Sequence, residues 1–208
     1  MADAREQMIA AAERIGAEQG FGAMSLRAVQ QAAGQRNKSA AQYHFGSREG
    51  LIEAVLATRM GPINDRRIQA LLALDGPGTV RDLAEVLVLP LADAVFTEAT
   101  SCWARFAMAG YADPSVVAAI QTSLEGEAFR IVRDRLLAHL DHLPAAIRTR
   151  RFDQALGLVF LGLAAAETQQ AKGIGEPIEA AVIVADLLDV FVGALTAPTT
   201  APAPASAP

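Results

Sequence analysis

Apolar residues recur at helical spacing along nearly the whole chain, and no alternating apolar/polar run flanked by hairpin turns interrupts them. That confines the fold to packed helices. Met8, Ile9, Ala11, Ala12 and Ile15 make one face of a first helix, which Gly20 stops. Ser25 is a good N-cap for a short second helix over 26–32. Ala33-Gly34 turns into a third short helix over 37–43. Ser47 caps a longer fourth helix, with Glu49 in its first turn, where a carboxylate suits the helix dipole. Gly61-Pro62 predicts a kink or break, with helix resuming to Leu74. Asp75-Gly76-Pro77-Gly78 is a turn. Thr79 then caps a helix to about Ala99, with Pro90 a kink point, and a helix carrying Cys102, Trp103 and Phe106 follows. Asp113-Pro114 opens a helix running to about Leu143. Two very apolar helices, over 145–171 and 177–195, close the chain.

Composition excludes several classes. Of 208 residues, 52% are hydrophobic and 20% charged, which rules out global disorder. One cysteine, Cys102, rules out a disulfide framework and a cysteine-based zinc site. A net charge of −5 argues against coating nucleic acid by bulk charge. The N-terminus lacks the apolar run of a signal peptide, and the longest apolar-or-glycine stretch, 155–166, is too short to span a bilayer. A cytoplasmic protein with no membrane contact is expected. Charge is uneven: residues 1–60 carry net +1 and the remainder −6, which suggests two modules. Residues 196–208 hold only Thr, Ala, Pro and Ser, and are expected to form a disordered tail.

The segment 25–48, SLRAVQQAAGQRNKSAAQYHFGSR, reads as short helix, glycine turn, short helix and capped long helix. That is helix-turn-helix spacing, which places the second helix in the DNA major groove. Arg36, Asn37, Lys38, Ser39 and Gln42 offer hydrogen bonds; Tyr43 and His44 add phosphate donors. Arg48 opens the next helix, where a cation has no dipole reason to be, so phosphate is its expected partner.

These residues resemble the N-terminal domain of TetR-type transcriptional regulators. The markers are Ile9-Ala10-Ala11-Ala12, Gly20-Phe21, Ser25-Leu26-Arg27-Ala28-Val29, Ala33-Gly34, the run Tyr43-His44-Phe45-Gly46-Ser47-Arg48-Glu49, and Leu51. The spacing from Gly34 to Phe45 is one residue longer than the family's usual one. Aligned back from Phe45, Gln42, Tyr43 and His44 take the contact positions, and Arg36 and Asn37 fall in a lengthened turn, where base, phosphate and solvent are all open to them. The resemblance implies that Ser25 and Arg27 touch phosphates and that Lys38, Ser39 and Gln42 face the groove. It implies that Tyr43 and Arg48 clamp the backbone. Phe21, Val29, Ala41 and Phe45 would hold the head together.

The expected fold is all-α. A three-helix head (1–47) precedes a helical effector-binding and dimerisation bundle (48–195) and the tail (196–208). A single head makes few contacts, so two copies on a palindromic site of double-stranded DNA are expected. The last two helices are apolar over more than one face, so a homodimer through them is expected, with Phe152, Leu156, Val159, Phe160, Leu163, Val184, Leu188, Phe191 and Leu195 at the interface. Phe96, Trp103, Phe106, Tyr111, Phe129 and Phe160 are candidates for lining a site for a small apolar effector, with Arg105 and Gln121 as polar groups. No cofactor, metal site or enzyme motif is expected. The rival readings are a helical enzyme using Cys102 or the His139/His142 pair, and an adaptor with a degenerate head.

Overall fold

The computed structural model describes residues 3–37, 39–98, 101–176 and 178–200. Ten α-helices make up the described residues, with one 3₁₀ turn at Phe21–Ala23 and no strand. The head comprises α1 (Ala4–Gln19), α2 (Leu26–Ala32) and α3 (Ala40–Phe45), seated on the start of α4 (Arg48–Leu72). The bundle adds α5 (Val80–Phe96), α6 (Trp103–Tyr111), α7 (Val117–Leu124), α8 (Glu127–Ala138), α9 (Ala145–Lys172) and α10 (Ala180–Thr196). One contiguous apolar core runs from Met8 to Leu195. Within the described residues, no helix is long and apolar enough to cross a membrane.

The helix starts follow local chemistry. Asp3 and Glu6 form a reciprocal capping box on α1. The Ser25 hydroxyl accepts from Ala28 N–H, and that of Ser47 accepts from Gly50 N–H, each at 3.1 Å. Thr79 and Asp82 form a second capping box on α5, and the hydrogen bonds hold the Asp82 carboxyl below its usual pKa. Gly50 is there for room: a side chain at that position would collide with the Phe45 carbonyl.

Three boundaries differ from the sequence reading. α4 runs unbroken through Gly61-Pro62 and ends at Leu72. Both residues lie on its exposed side, where water can satisfy the carbonyl that proline leaves unpaired. The helix expected over 113–143 is two helices. Asp113 instead folds back to accept from the backbone N–H and hydroxyl of Ser115, and α7 ends where Gly126 packs against Asn64. A side chain on Gly126 would lie 2.8 Å from the Asn64 amide. The third helix begins at Ala40, not 37, because the lengthened turn occupies 33–39. Of the expected tail, residues 197–200 are exposed and without regular structure, and 201–208 lie outside the described residues.

α6 is the centre of the arrangement, packed between α1 of the head and α9 of the bundle. Its N-cap residue, Cys102, makes no side-chain cap, and the Ser101 hydroxyl accepts from Trp103 N–H only at 3.4 Å. Glu167, buried on α9, supplies one. Its carboxylate accepts from the Ala104 and Arg105 backbone N–H groups at 3.1 and 2.9 Å, and from the Ser101 hydroxyl at 2.8 Å. Arg105 Nε lies 3.7 Å away and adds charge compensation. On the other side Phe106 presses into α1 at Gly16, where a Cβ would meet its ring at 2.7 Å, and packs on Phe21 at 4.9 Å between centroids.

Glu167→Ala would leave the buried Ala104 and Arg105 N–H groups without their acceptor. The expected loss is about 2–4 kcal/mol in a urea titration, with an unchanged unfolding slope.

Candidate nucleic-acid interface and effector cavity

The head presents its polar residues outward. Ser25, Arg27, Arg36, Asn37, Ser39, Gln42, Tyr43 and His44 are all exposed; Lys38 lies outside the described residues. Tyr43 is 85% exposed, an unusual position for an aromatic ring with no partner beyond the edge of His44 at 5.2 Å. Ala41 and Phe45 point inward on the same six-residue helix, so the alternation of burial turns Gln42, Tyr43 and His44 to one outer surface. The lengthened turn is ordered locally. Asn37 Oδ1 accepts from Ser39 N–H at 3.0 Å, and Gln35 Nε2 donates to Gln7 Oε1 of α1 at 2.8 Å. Gln42 Nε2 donates to the Gly46 carbonyl at 2.5 Å, which leaves its amide oxygen and one N–H for another partner.

Arg48 is placed differently from its expected role. Its Nε and Nη2 donate to the carbonyls of Met24 and Phe21 at 3.0 and 2.9 Å, and its side chain is largely buried. It therefore clamps the protein's own backbone, holding the α1–α2 connection onto α4. One cation at the head was not singled out from the sequence: Arg5, exposed on α1, stands over the Phe45 ring at 5.9 Å. Only the fold brings residues 5 and 45 together.

The aromatic candidates divide. Tyr111, Phe129 and Phe160 line a cavity of about 420 Å³ between α6, α7, α8 and α9, together with Gln121, Met108 and Phe152. Trp103 and Phe106 are instead buried core, stacked at 5.9 Å, and Phe96 lies in a separate hollow between α9 and α10. Arg105 serves Glu167. The cavity's apolar wall was legible as aromatic clustering. Phe152 was missed as a lining residue because its helix stripe reads equally as a contact between subunits.

The expected subunit interface is also redistributed. Phe152, Val159, Phe160, Leu163, Leu188, Phe191 and Leu195 are buried within the protomer, and only Leu156 and Val184 are half-buried. Apolar residues left outside on the same helices are Leu158, Leu161 at 55% exposure, Val182 at 57%, and Val190. The correction has a simple cause. Both helices are apolar over two faces, and the aromatic face is the one that fills the bundle.

Three buried ionisable groups, Glu13, Cys102 and Arg67, and the half-buried Arg59 lie elsewhere. Glu13 of α1 pairs with both Nε and Nη2 of Arg59 at 2.6 and 3.0 Å, and Arg59 Nη1 reaches Glu98 at 2.9 Å. The Cys102 thiol donates to Glu13 at 3.4 Å; burial and the Glu13 carboxylate push its pKa up to about 12. That thiol stays protonated and is no nucleophile. Arg67 is fully buried over the Phe129 ring at 5.5 Å, donating to Asn64 and to the Leu87 carbonyl, and burial lowers its pKa to about 10. His139 contacts the Gly78 carbonyl at 3.1 Å. Among the described residues, no group of three or more His, Cys, Asp or Glu could hold a metal ion.

A short helix, a glycine-containing turn and an exposed second helix on a long capped one define a helix-turn-helix protein. Residues 8–55 match the family of bacterial regulatory proteins described as the tetR family. The chain carries the tetR-family helix-turn-helix, as its motifs led us to expect. No curated protein matches the sequence. The whole chain resembles two solved structures in fold. Mycobacterium smegmatis AmtR aligns at 19% identity and a TM-score of 0.60, over 92% of this chain and 87% of that one. The fatty acid degradation regulator FadR from Bacillus halodurans aligns at 15% and 0.58, over 94% and 98%.

Two outcomes check the placements. Arg48→Ala is expected to lower stability by about 1–3 kcal/mol in thermal melts, since the Met24 carbonyl loses its Arg48 donor and the Phe21 carbonyl keeps only the Met24 N–H, whereas Tyr43→Ala is expected to leave it within about 0.5 kcal/mol. Cys102 is expected to react with a disulfide reagent at pH 8 far more slowly in the native than in the urea-unfolded chain.

Proposed function

We propose that the protein is a ligand-responsive transcriptional regulator, most simply a repressor, that binds a palindromic operator as a homodimer and is released by a small, largely apolar effector. The observation that carries the reading is the head. A tetR-family module turns Gln42, Tyr43 and His44 outward on a helix whose opposite face is core. Nothing in the packing of the head accounts for an exposed Tyr43. A role in phosphate contact does. Arg27 and Arg36 are exposed cations beside the outward face of α3, whereas the exposed carboxylates of the head, Asp3, Glu6 and Glu18, lie on or beside α1.

In this reading Gln42 pairs with a base, and Ser25, Arg27 and Tyr43 position the head on the backbone. Ser39 faces the groove in the turn, with Lys38 beside it in sequence. Arg48 acts from behind, by fixing the frame in which α2 and α3 sit. Leu158, Leu161, Val182 and Val190 form the face through which α9 and α10 meet their copies in a second subunit.

The route from effector to operator runs through α6. Ala107, Met108 and Tyr111 of this helix line the cavity, while Phe106 on its other side sits against Gly16 and Phe21 in the head. The Phe21 carbonyl is in turn held by Arg48 at the start of α4. An occupant that displaces α6 moves the seat of the head. Release requires only that the effector bind more tightly to the state that fits the operator less well.

Selection of the purified protein against random double-stranded DNA is expected to recover a palindrome. Gln42→Ala should blur it at one position in each half-site. Arg27→Ala should weaken all sites alike and reduce the salt slope by about 1 per head. Leu161→Asp combined with Val182→Asp should convert a dimer to a monomer in sedimentation; a wild-type monomer at micromolar concentration overturns the dimer.

A further inference from the structure

The cavity between α6 and α9 is apolar in its depth and acidic at its rim. Phe129, Phe152, Phe160, Ile120, Leu124 and Met108 make the interior, with Phe129 and Phe152 packed edge to face at 5.8 Å. The charged residues on its lining are Glu125 of α7, Arg133 of α8 and Asp153 of α9. They are not equivalent. Arg133 is already shared between two carboxylates, Glu125 at 3.6 Å and Asp134 at 3.5 Å. Among the described residues Asp153 has neither a hydrogen bond nor an ion pair. The Arg133 guanidinium is spoken for, and the Asp153 carboxylate, next to Phe152 and one turn before Leu156 and Gly157 on α9, is not.

An occupant carrying its own carboxylate would bring a third anion to a rim whose only cation is engaged. An occupant with a cationic head would complete the set, burying its apolar body on the phenylalanines and placing a charged donor against Asp153. From this geometry we infer that the effector is an amphiphilic organic amine, its ammonium paired with Asp153 and its apolar body held among Phe129, Phe152 and Phe160. Asp153 is exposed at the cavity mouth, where partial desolvation raises its pKa, with the pull of Arg133 opposing and the Glu125 charge adding to it. A carboxyl so placed gains most from a cation brought beside it. The inference names the ligand class of the cavity and rests on the regulator reading only for what binding does to DNA.

The test is direct binding to the full chain, without DNA. Two apolar bodies, a decyl chain and a biphenylmethyl group, are each presented as primary amine, alcohol and carboxylate at submicellar concentration, and affinities are measured by calorimetry at neutral pH. The amine of at least one body is expected to bind about five- to tenfold more tightly than its alcohol, and the carboxylate more weakly than both. Asp153→Asn should remove that preference while leaving the alcohol's affinity unchanged, which shows that the cavity remains formed. An alcohol or carboxylate that binds as tightly as the amine overturns the inference. So does an amine preference that survives in Asp153→Asn, or no binding by any of the six. None of these failures touches the regulator reading, which stands or falls on operator selection.

Discussion

The buried carboxylate of Glu167 at the start of α6 is the contact on which the arrangement of the two modules depends. A helix terminus buried in a core must find acceptors for its free N–H groups, and the only local side-chain acceptor among the described residues, the Ser101 hydroxyl, reaches Trp103 N–H at a long 3.4 Å. Glu167 supplies them from α9, about sixty residues away in sequence, and so fixes α6 against the bundle. Phe106, one turn further along, then has one place to go, against Gly16 and Phe21. Burying a carboxylate is costly unless it is fully hydrogen-bonded, and here three donors and the nearby Arg105 satisfy it. The device is stabilising only as a complete set, so it specifies position as well as stability.

A second buried charge system lies on the other flank of the same seam. Glu13 of α1 is held by Arg59 of α4 and receives the Cys102 thiol from the loop that leads into α6. Head, long helix and bundle therefore meet at groups that are charged, desolvated and paired. Such contacts tolerate small displacements poorly, because a lengthened hydrogen bond in a dry site loses much of its energy.

The fold class and the head were legible in the sequence. Caps at Ser25, Ser47 and Thr79, the Gly20 stop and the apolar spacing of α1 and α4 are local signals, decided by residues within a turn of one another. The run from Tyr43 to Glu49 was legible for the same reason. The unbroken passage of α4 through exposed Pro62, and of α5 through buried Pro90, was not, because a proline costs a helix only a local hydrogen bond, which packing of the rest of the helix outweighs. The division of 113–143 into two helices was hidden too. It follows from Gly126 meeting Asn64, a contact between distant segments.

The candidate sites show the same divide. The sequence alone determined which side chains can read a groove and that the last two helices are apolar on more than one face, since both are statements about residue type and helical period. It could not say which apolar face of α9 and α10 fills the bundle and which remains outside, because the period is the same for both. Tertiary packing chose: the large rings went inward where they could meet Phe129, and Leu161 and Val182 stayed out. Packing also turned Arg48 to the carbonyls of Phe21 and Met24 and left Asp153 without a hydrogen bond or ion pair among the described residues. A charged side chain's partner is fixed by what lies within a few ångströms of it, and in a helical bundle those neighbours come from other helices.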